Sequence, residues 1–210
     1  MTSRPRAAGA LAAAAIACAA PATIIGFVGD TTLEGGWYAF EDTFDVDMTP
    51  IIHGGEPYET VTHIDYGFGG ESGTIHFPPH SLRHIGSGWA HWSHGYEGEV
   101  FYSNGAVAVT YTFEGDAVGA FDAYLSPNWE PNGYVVTAHG SEGGEATVEF
   151  EMLGIQEATH FGFFATGEAI VAVKVMGSKD YAIGEWRVGV PAPATAALLS
   201  IAGLYGRRHH

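Results

Sequence analysis

Along Ala106-Val107-Ala108-Val109-Thr110-Tyr111-Thr112-Phe113, large apolar residues alternate with small or polar ones, which sets Val107, Val109, Tyr111 and Phe113 on one face of a strand. The same period of two runs through 147–152, with Val148, Phe150 and Met152 inward and Glu149 and Glu151 outward. It returns at 171–175, where Val171, Val173 and Val175 alternate with Ala172 and Lys174. Further strands are predicted at 60–67, 73–77, 98–103, 118–125, 134–139, 159–165 and 181–189. Turn signals separate them: Ser103-Asn104-Gly105, Pro131-Asn132-Gly133, Glu142-Gly143-Gly144 and Gly177-Ser178-Lys179-Asp180. About ten short strands at this spacing, with no persuasive amphipathic helix among them, predict an all-β domain, an antiparallel β-sandwich or jelly roll. No internal repeat and no linker divides it.

Outside residues 23–189 the pattern changes. The first 22 residues carry Arg4 and Arg6, an apolar run from Ala7 to Ala20 and the small-residue string Ala20-Pro21-Ala22. This is the order of a secretory signal peptide, cleaved after Ala22 or, alternatively, after Ala19 or Ala20. As a helix the run spans about 21 Å, short of the roughly 30 Å hydrocarbon core of a bilayer. A lipoprotein reading stays open beside it, because Ala15-Ile16-Ala17-Cys18 loosely resembles a lipobox.

The other end reads Val190-Pro191-Ala192-Pro193, then an apolar stretch from Ala194 to Tyr205, then Gly206-Arg207-Arg208-His209-His210. This succession resembles the PEP-CTERM sorting signal of Gram-negative bacteria, a Pro-Glu-Pro-like motif followed by a short hydrophobic helix and an Arg-rich end; Ala192 stands where that motif usually has Glu. The resemblance implies an exosortase and the secretion machinery as partners. It also implies transient membrane association through the C-terminal segment and delivery to the cell envelope, cell surface or extracellular matrix, often in exopolysaccharide producers. Pro191, Ala192 and Pro193 would be the motif, and Arg207 and Arg208 would hold the end of the helix on the cytoplasmic side. The alternative is a C-terminal helix packed on the domain. Three regions follow: a signal peptide at 1–22, an ectodomain at 23–189 and a sorting signal at 190–210. The stretch from Ala117 to Gly189 is further similar to an ectodomain type recurrent in that family, which implies a lectin-type or galactose-binding-like sandwich. It carries Ala117-Val118-Gly119-Ala120-Phe121-Asp122-Ala123-Tyr124, Phe161-Gly162-Phe163-Phe164-Ala165 and Glu168-Ala169-Ile170-Val171-Ala172-Val173. The Asp-Asn pair common before the last strand of that type is replaced here by Tyr181-Ala182-Ile183-Gly184-Glu185, so no cation site carries over.

Composition sharpens this picture. The 210 residues carry eight Lys and Arg against 24 Asp and Glu, a formal charge of −16. Four of the basic residues belong to the terminal signals. The ectodomain keeps Arg83, Lys174, Lys179 and Arg187 against all 24 acids, a net of −20. A phosphate backbone would be repelled, which argues against nucleic acid as a partner. With 46% hydrophobic and 13% aromatic residues the chain can build a core without disulfides, which its lone Cys18 could not supply.

Three constellations could carry chemistry. Residues 76–96 hold five histidines, and His80, His84, His91 and His94 are candidate ligands for zinc or copper, although Pro78 and Pro79 break any helix that would align them. The plainer expectation is polar loop histidines. Trp89, Trp92 and Tyr96, with Tyr102 and the carboxylates of Glu97, Glu99 and Asp65, could stack and hydrogen-bond a sugar; tryptophans in such a sandwich also commonly fill the core. Trp37, Trp129 and Trp186 read as core or rim packing. Asp42, Asp45 and Asp47 alternate around Phe44 and Val46 as an acidic strand edge that suits calcium or merely faces solvent. No nucleophile elbow, Walker loop or dinucleotide fingerprint occurs, and no catalytic residue is assigned. The expectation is therefore an exported, acidic, non-enzymatic envelope or matrix protein, without an assigned cofactor, that contacts polysaccharide. The alternatives are a secreted carbohydrate-active enzyme with Glu97 and Glu99 at its cleft, or a metal-binding exported protein.

Overall fold

The computed structural model describes residues 22–29, 36–68, 70–90, 92–153 and 158–189, and within these the side chains of 36–38 and 68 are not described. The predicted signal peptide, apart from Ala22, and the sorting segment with Pro191, Ala192, Pro193, Arg207 and Arg208 lie outside the described residues. The elements are β1 (Thr23–Val28), α1 (Gly36–Phe44), β2 (Thr49–Pro50), β3 (Thr60–Phe68), β4 (Glu71–Ile85), β5 (Gly88–Trp89), β6 (Glu99–Tyr102), β7 (Ala108–Gly115), β8 (Ala120–Pro127), β9 (Asn132–Gly140), β10 (Glu145–Met152), β11 (Thr159–Thr166), β12 (Ile170–Gly177) and β13 (Tyr181–Gly189).

All 13 strands join one sheet in the order β1-β11-β8-β13-β6-β4-β7-β12-β9-β10, with β2 on β13 and with β3 and β5 on β4. Every ladder is antiparallel except the short β4–β5 pair. The sheet curls until its two end strands meet: a Cβ on Gly26 of β1 would fall 2.5 Å from Val148 of β10, so only glycine lets them approach. The result is barrel-like, and it brings the apolar faces together around Trp186. That ring is wholly buried and stands edge-on to Phe101, Tyr111 and Phe121 with centroids 5.1–6.0 Å apart.

Where the alternation slips, a bulge explains it. Val171 is exposed although Val173 and Val175 are buried, because Ile170 pairs with Gly140 and Ala172 with the adjacent His139, leaving Val171 as the extra residue. Val107 is also exposed, since β7 begins only at Ala108. In β13 the extra residue lies between Gly184 and Arg187, and Glu185 adopts φ 54. Glu185 and Arg187 thereby turn to the outer face while Ile183, Trp186 and Val188 stay inside. β4 runs straight through Pro78 and Pro79, against the expectation of loop histidines around them. On one edge it pairs with β7 through 73–76 and with β6 through 81–83, so the two residues without a backbone N–H fall where the partner changes. His76, His80 and His84 are thus strand residues.

One correction concerns residues 36–48. They form a helix and a loop rather than a strand edge: Phe40 and Phe44 are one turn apart on the face that meets the sheet, and Asp45 closes the helix at φ 50. Asp42 is therefore helical, Asp45 is a turn residue and Asp47 lies beyond it. Phe40 seats against Phe27 and His160, and Phe44 stacks on Phe164. A Cβ on Gly162 would stand 2.6 Å from the Phe40 ring, so this glycine lets the helix settle on β11. With α1 on one part and Trp89, Trp92, Val100, Tyr124, Ala158 and Ala182 clustered on another, β8 and β13 are buried on both faces. No helix among the described residues is long and apolar enough to cross a membrane.

Candidate functional site

Outside that second cluster, the β4–β5 turn, β6 and the 128–129 turn after β8 enclose an open groove of about 450 Å³. It is lined by Arg83, Trp89, Tyr102, Asn128 and Trp129, with Gly86, Gly88 and Ala90 as its small walls. A second depression of about 360 Å³ shares Asn128 and Trp129 and continues to Glu130, Lys179 and Asp180.

Each wall is held differently. Trp89 is only 8% exposed and offers the groove the rim of a buried ring, tilted 5.7 Å from Tyr102. Tyr102 donates a short hydrogen bond to Asp180, and Asn128 Nδ2 donates to both Tyr102 (3.1 Å) and Asp180 (3.2 Å). Burial, and then the bond to Asp180, pushes the Tyr102 hydroxyl up to about 12, so it remains a proton donor throughout the neutral range. The Asn128 N–H also donates to the Asp180 carbonyl, which fixes the turn at its base. From that base Trp129 projects at 73% exposure with φ 122. A large L-residue in that region costs on the order of 1–3 kcal/mol and persists only where the surroundings impose it. An indole held in strained backbone, in water, is the opposite of core packing; the expectation of a core or rim role for Trp129 is corrected accordingly.

Arg83 forms the floor. Its guanidinium lies 4.2 Å from the Tyr58 ring centroid and 5.6 Å from that of Tyr102. A Cβ on Gly88 would approach Arg83 Cδ and Tyr58 Oη at 3.0 and 3.2 Å, so the bare glycine makes room for this stack. Among the described residues Arg83 makes no ion pair or side-chain hydrogen bond, and its Nη1 is buried without a partner.

The chain matches no protein-family model, and no curated protein matches it.

A second polar region is closed. On the outer face of β11, β8 and β13, Arg187 Nε donates to Asp122 (2.9 Å), Nη2 donates a short bond to the same carboxylate and Nη1 donates to Glu41 (3.0 Å). His160 Nε2 lies 3.0 Å from Asp122, so this nitrogen carries the proton it shares with the carboxylate. Alongside, Glu185 accepts a short bond from Trp92 Nε1 and one of 3.0 Å from His94 Nε2. The Ser93 hydroxyl is 2.8 Å from His94 Nδ1 and 3.1 Å from the Ala158 carbonyl. Ser93, His94 and Glu185 repeat the hydroxyl–imidazole–carboxylate order of nucleophilic catalysis. Here the hydroxyl is buried, can donate to a backbone carbonyl and lines neither groove, so the arrangement clasps the 92–96 loop to the sheet.

Of the residues singled out from sequence, Asp42, Asp45 and Asp47 line one depression of about 420 Å³ together with Glu41, whereas the other candidates are dispersed. Of Trp89, Trp92, Tyr96, Glu97 and Glu99, only Trp89 borders the groove. Trp92 is buried on Glu185, and Tyr96 donates to the Glu99 carbonyl. Glu97 is exposed, while Glu99 accepts the N–H groups of His53, Gly54 and Gly55 and so anchors a loop. Asp65 accepts the Thr74 hydroxyl. Of the four histidines, His80 is wholly buried between Pro78 O (2.7 Å) and Tyr111 Oη (3.0 Å), His84 stands 4.0 Å from Glu99, His94 is on Glu185, and His91 lies outside the described residues. Among the described residues no three His, Cys, Asp or Glu side chains converge as metal ligands. Sequence reasoning missed Arg83, Asn128 and Trp129 as a set. A signal was available in Asn128-Trp129-Glu130-Pro131-Asn132, a turn sequence with a tryptophan in its centre.

Proposed function

We propose that this chain is an exported, acidic, non-enzymatic β-protein of the Gram-negative cell envelope or extracellular matrix, sorted by an exosortase, that contacts polysaccharide through the Trp129 groove. The barrel-like sheet is read as a flattened sandwich of the jelly-roll kind, in which β4 changes neighbour from β7 to β6 around Pro78 and Pro79. The observation that carries the binding reading is Trp129, an indole held out in strained backbone beside Trp89 and Tyr102. Such rings accept the C–H faces of a pyranose by dispersion, and Asn128 and Asp180 supply polar partners at their edge for hydroxyl groups. The terminal signals carry the export reading.

Two experiments test it. Affinity electrophoresis of the full chain in gels containing soluble glycans should show retardation that Trp129→Ala removes; equal mobility of both proteins in every gel would discard the groove as a glycan site. Expression in a host possessing an exosortase should give an exported protein lacking its C-terminal segment, and an intact intracellular chain would discard the sorting reading.

A further inference from the structure

We infer that the groove selects an acidic sugar, a hexuronate residue within a largely neutral glycan, with Arg83 as the partner of its carboxylate; this rests on the groove being a glycan site. The ectodomain has four basic side chains in a net charge of −20. Two of the four pair with carboxylates, Arg187 with two of them and Lys179 with Glu130 at 2.9 Å; Lys174 and Arg83 form no ion pair among the described residues, and of these it is Arg83 that lines the groove. Arg83 has none among the described residues, although it is partly buried and its Nη1 is out of water. The other guanidinium nitrogens of Arg83 make no hydrogen bond among the described residues either and are not cut off from water, so they can meet an acceptor that enters the groove.

The surroundings fix what the acceptor must be. Tyr58 and Tyr102 hold the guanidinium by their ring faces, which orients the donor fork without consuming its N–H groups. Tyr102, with its ring centroid 5.6 Å from that charge, and Trp129 line the same groove, so the ligand joins a flat apolar face to a single anionic group. A pyranose carboxylate has that form. Asp180 and Glu130 line the adjoining depression, and the domain's charge repels anions over roughly a Debye length of 8 Å at physiological ionic strength. The groove therefore favours one uronate among neutral sugars over a densely charged polyuronate.

The test uses the full chain and a glucuronate-bearing tetrasaccharide, set against the same oligosaccharide with its carboxyl group reduced to the alcohol. Calorimetric titration should show the uronate form binding about tenfold or more tightly, as a charge-assisted hydrogen bond to arginine warrants. Arg83→Gln should bring that ratio to about one, and Arg83→Lys should retain part of it. Trp129→Ala should weaken both ligands by a similar factor. If the wild type binds both forms equally and Trp129→Ala still weakens both, the groove is a glycan site and the acidic specificity is overturned. If neither form binds, the glycan reading itself fails. Binding of an oligoglutamate peptide with no response to either sugar would overturn both and make the partner an acidic peptide.

Discussion

Arg187 and Arg83 are the same side chain in two opposite conditions. Arg187 sits between Asp122 and Glu41 and donates to both carboxylates, in a layer covered by α1 and the 92–96 loop. Arg83 sits between two tyrosine rings, with no carboxylate partner among the described residues, at the floor of an open groove. In the first arrangement the cation is paired within the fold and its worth is structural, although His160 Nδ1 beside it is buried without a partner among the described residues. The second holds a charge in place and leaves its hydrogen-bonding capacity unused, which costs stability and gains specificity only when something binds. In a domain this acidic, the presence or absence of an internal partner separates a fold-holding cation from a ligand-holding one.

The largest effect is expected where the closed network is broken. Asp122→Asn removes the charge between Arg187 and His160 while keeping the shape, and should lower the unfolding free energy by about 3–5 kcal/mol in chemical denaturation. A double change, Asp122→Leu with Arg187→Met, should recover a large part of that loss, because it removes both buried charges together. If Asp122→Asn unfolds at the wild-type midpoint, the closed region is no more structural than the open one.

His80 extends the comparison to pH. Burial presses its imidazole down from the ordinary 6.5 to about 4, against the pull of the Pro78 and Pro79 carbonyls. Its partners are uncharged: Nδ1–H donates to Pro78, and Nε2 accepts from Tyr111, whose hydroxyl meets that of Tyr181 at 3.1 Å. The folded state therefore binds this proton less readily than the unfolded chain. Stability from this residue is complete above about pH 6.5 and falls as the pH drops towards 4, by about 3 kcal/mol over that window. Denaturation midpoints at pH 7 and pH 4.5 should differ less in His80→Gln, whose amide does not titrate. An unchanged pH dependence would show that other groups carry the acid sensitivity.

A smaller effect tests how tightly the outer layer is shut. Gly162→Ala places a methyl 2.6 Å from the Phe40 ring and 2.9 Å from Asp122 Cβ, and should cost about 1–3 kcal/mol by overpacking, read as a lowered Tm. A neutral result would mean that α1 lifts from the sheet at little cost.

The strands were legible because burial of one face writes a period of two into the chain: 60–67, 134–139, 159–165 and 181–189 all fall within observed strands. Departures came where a single residue changes phase. Neither the Val171 bulge nor the Glu185 bulge has a local signature, yet each decides which side chains reach water. The helix was missed because, among its described side chains, only the buried Phe40 and the half-buried Phe44 form an apolar stripe, and Asp42, Asp45 and Asp47 mimic a strand edge. The site was less legible still. Histidines and tryptophans crowd together at 76–96, but β4 buries His80 beside Tyr111, the segment after it buries Trp92 against Glu185 on the outer face, and Trp89 is left at a rim. The groove is completed by residues 128–129, which reach Tyr102 only through the pairing of β13 with both β6 and β8.

The smallest effect is the most telling, because its sign divides the two regions. Trp129 contributes an exposed ring and strained backbone, so removing the side chain should leave the core intact. Trp129→Gly fits φ 122 without strain; the relief of about 1–3 kcal/mol is partly offset by roughly 0.5–1 kcal/mol of added freedom in the unfolded chain. A net gain of about 1 kcal/mol in stability should accompany loss of glycan retardation, whereas removing one charge of the closed network, as in Asp122→Asn, should lower stability. A lowered Tm in Trp129→Gly would mean that the indole packs as part of the fold, and the contrast between a completed site and a waiting one would no longer hold.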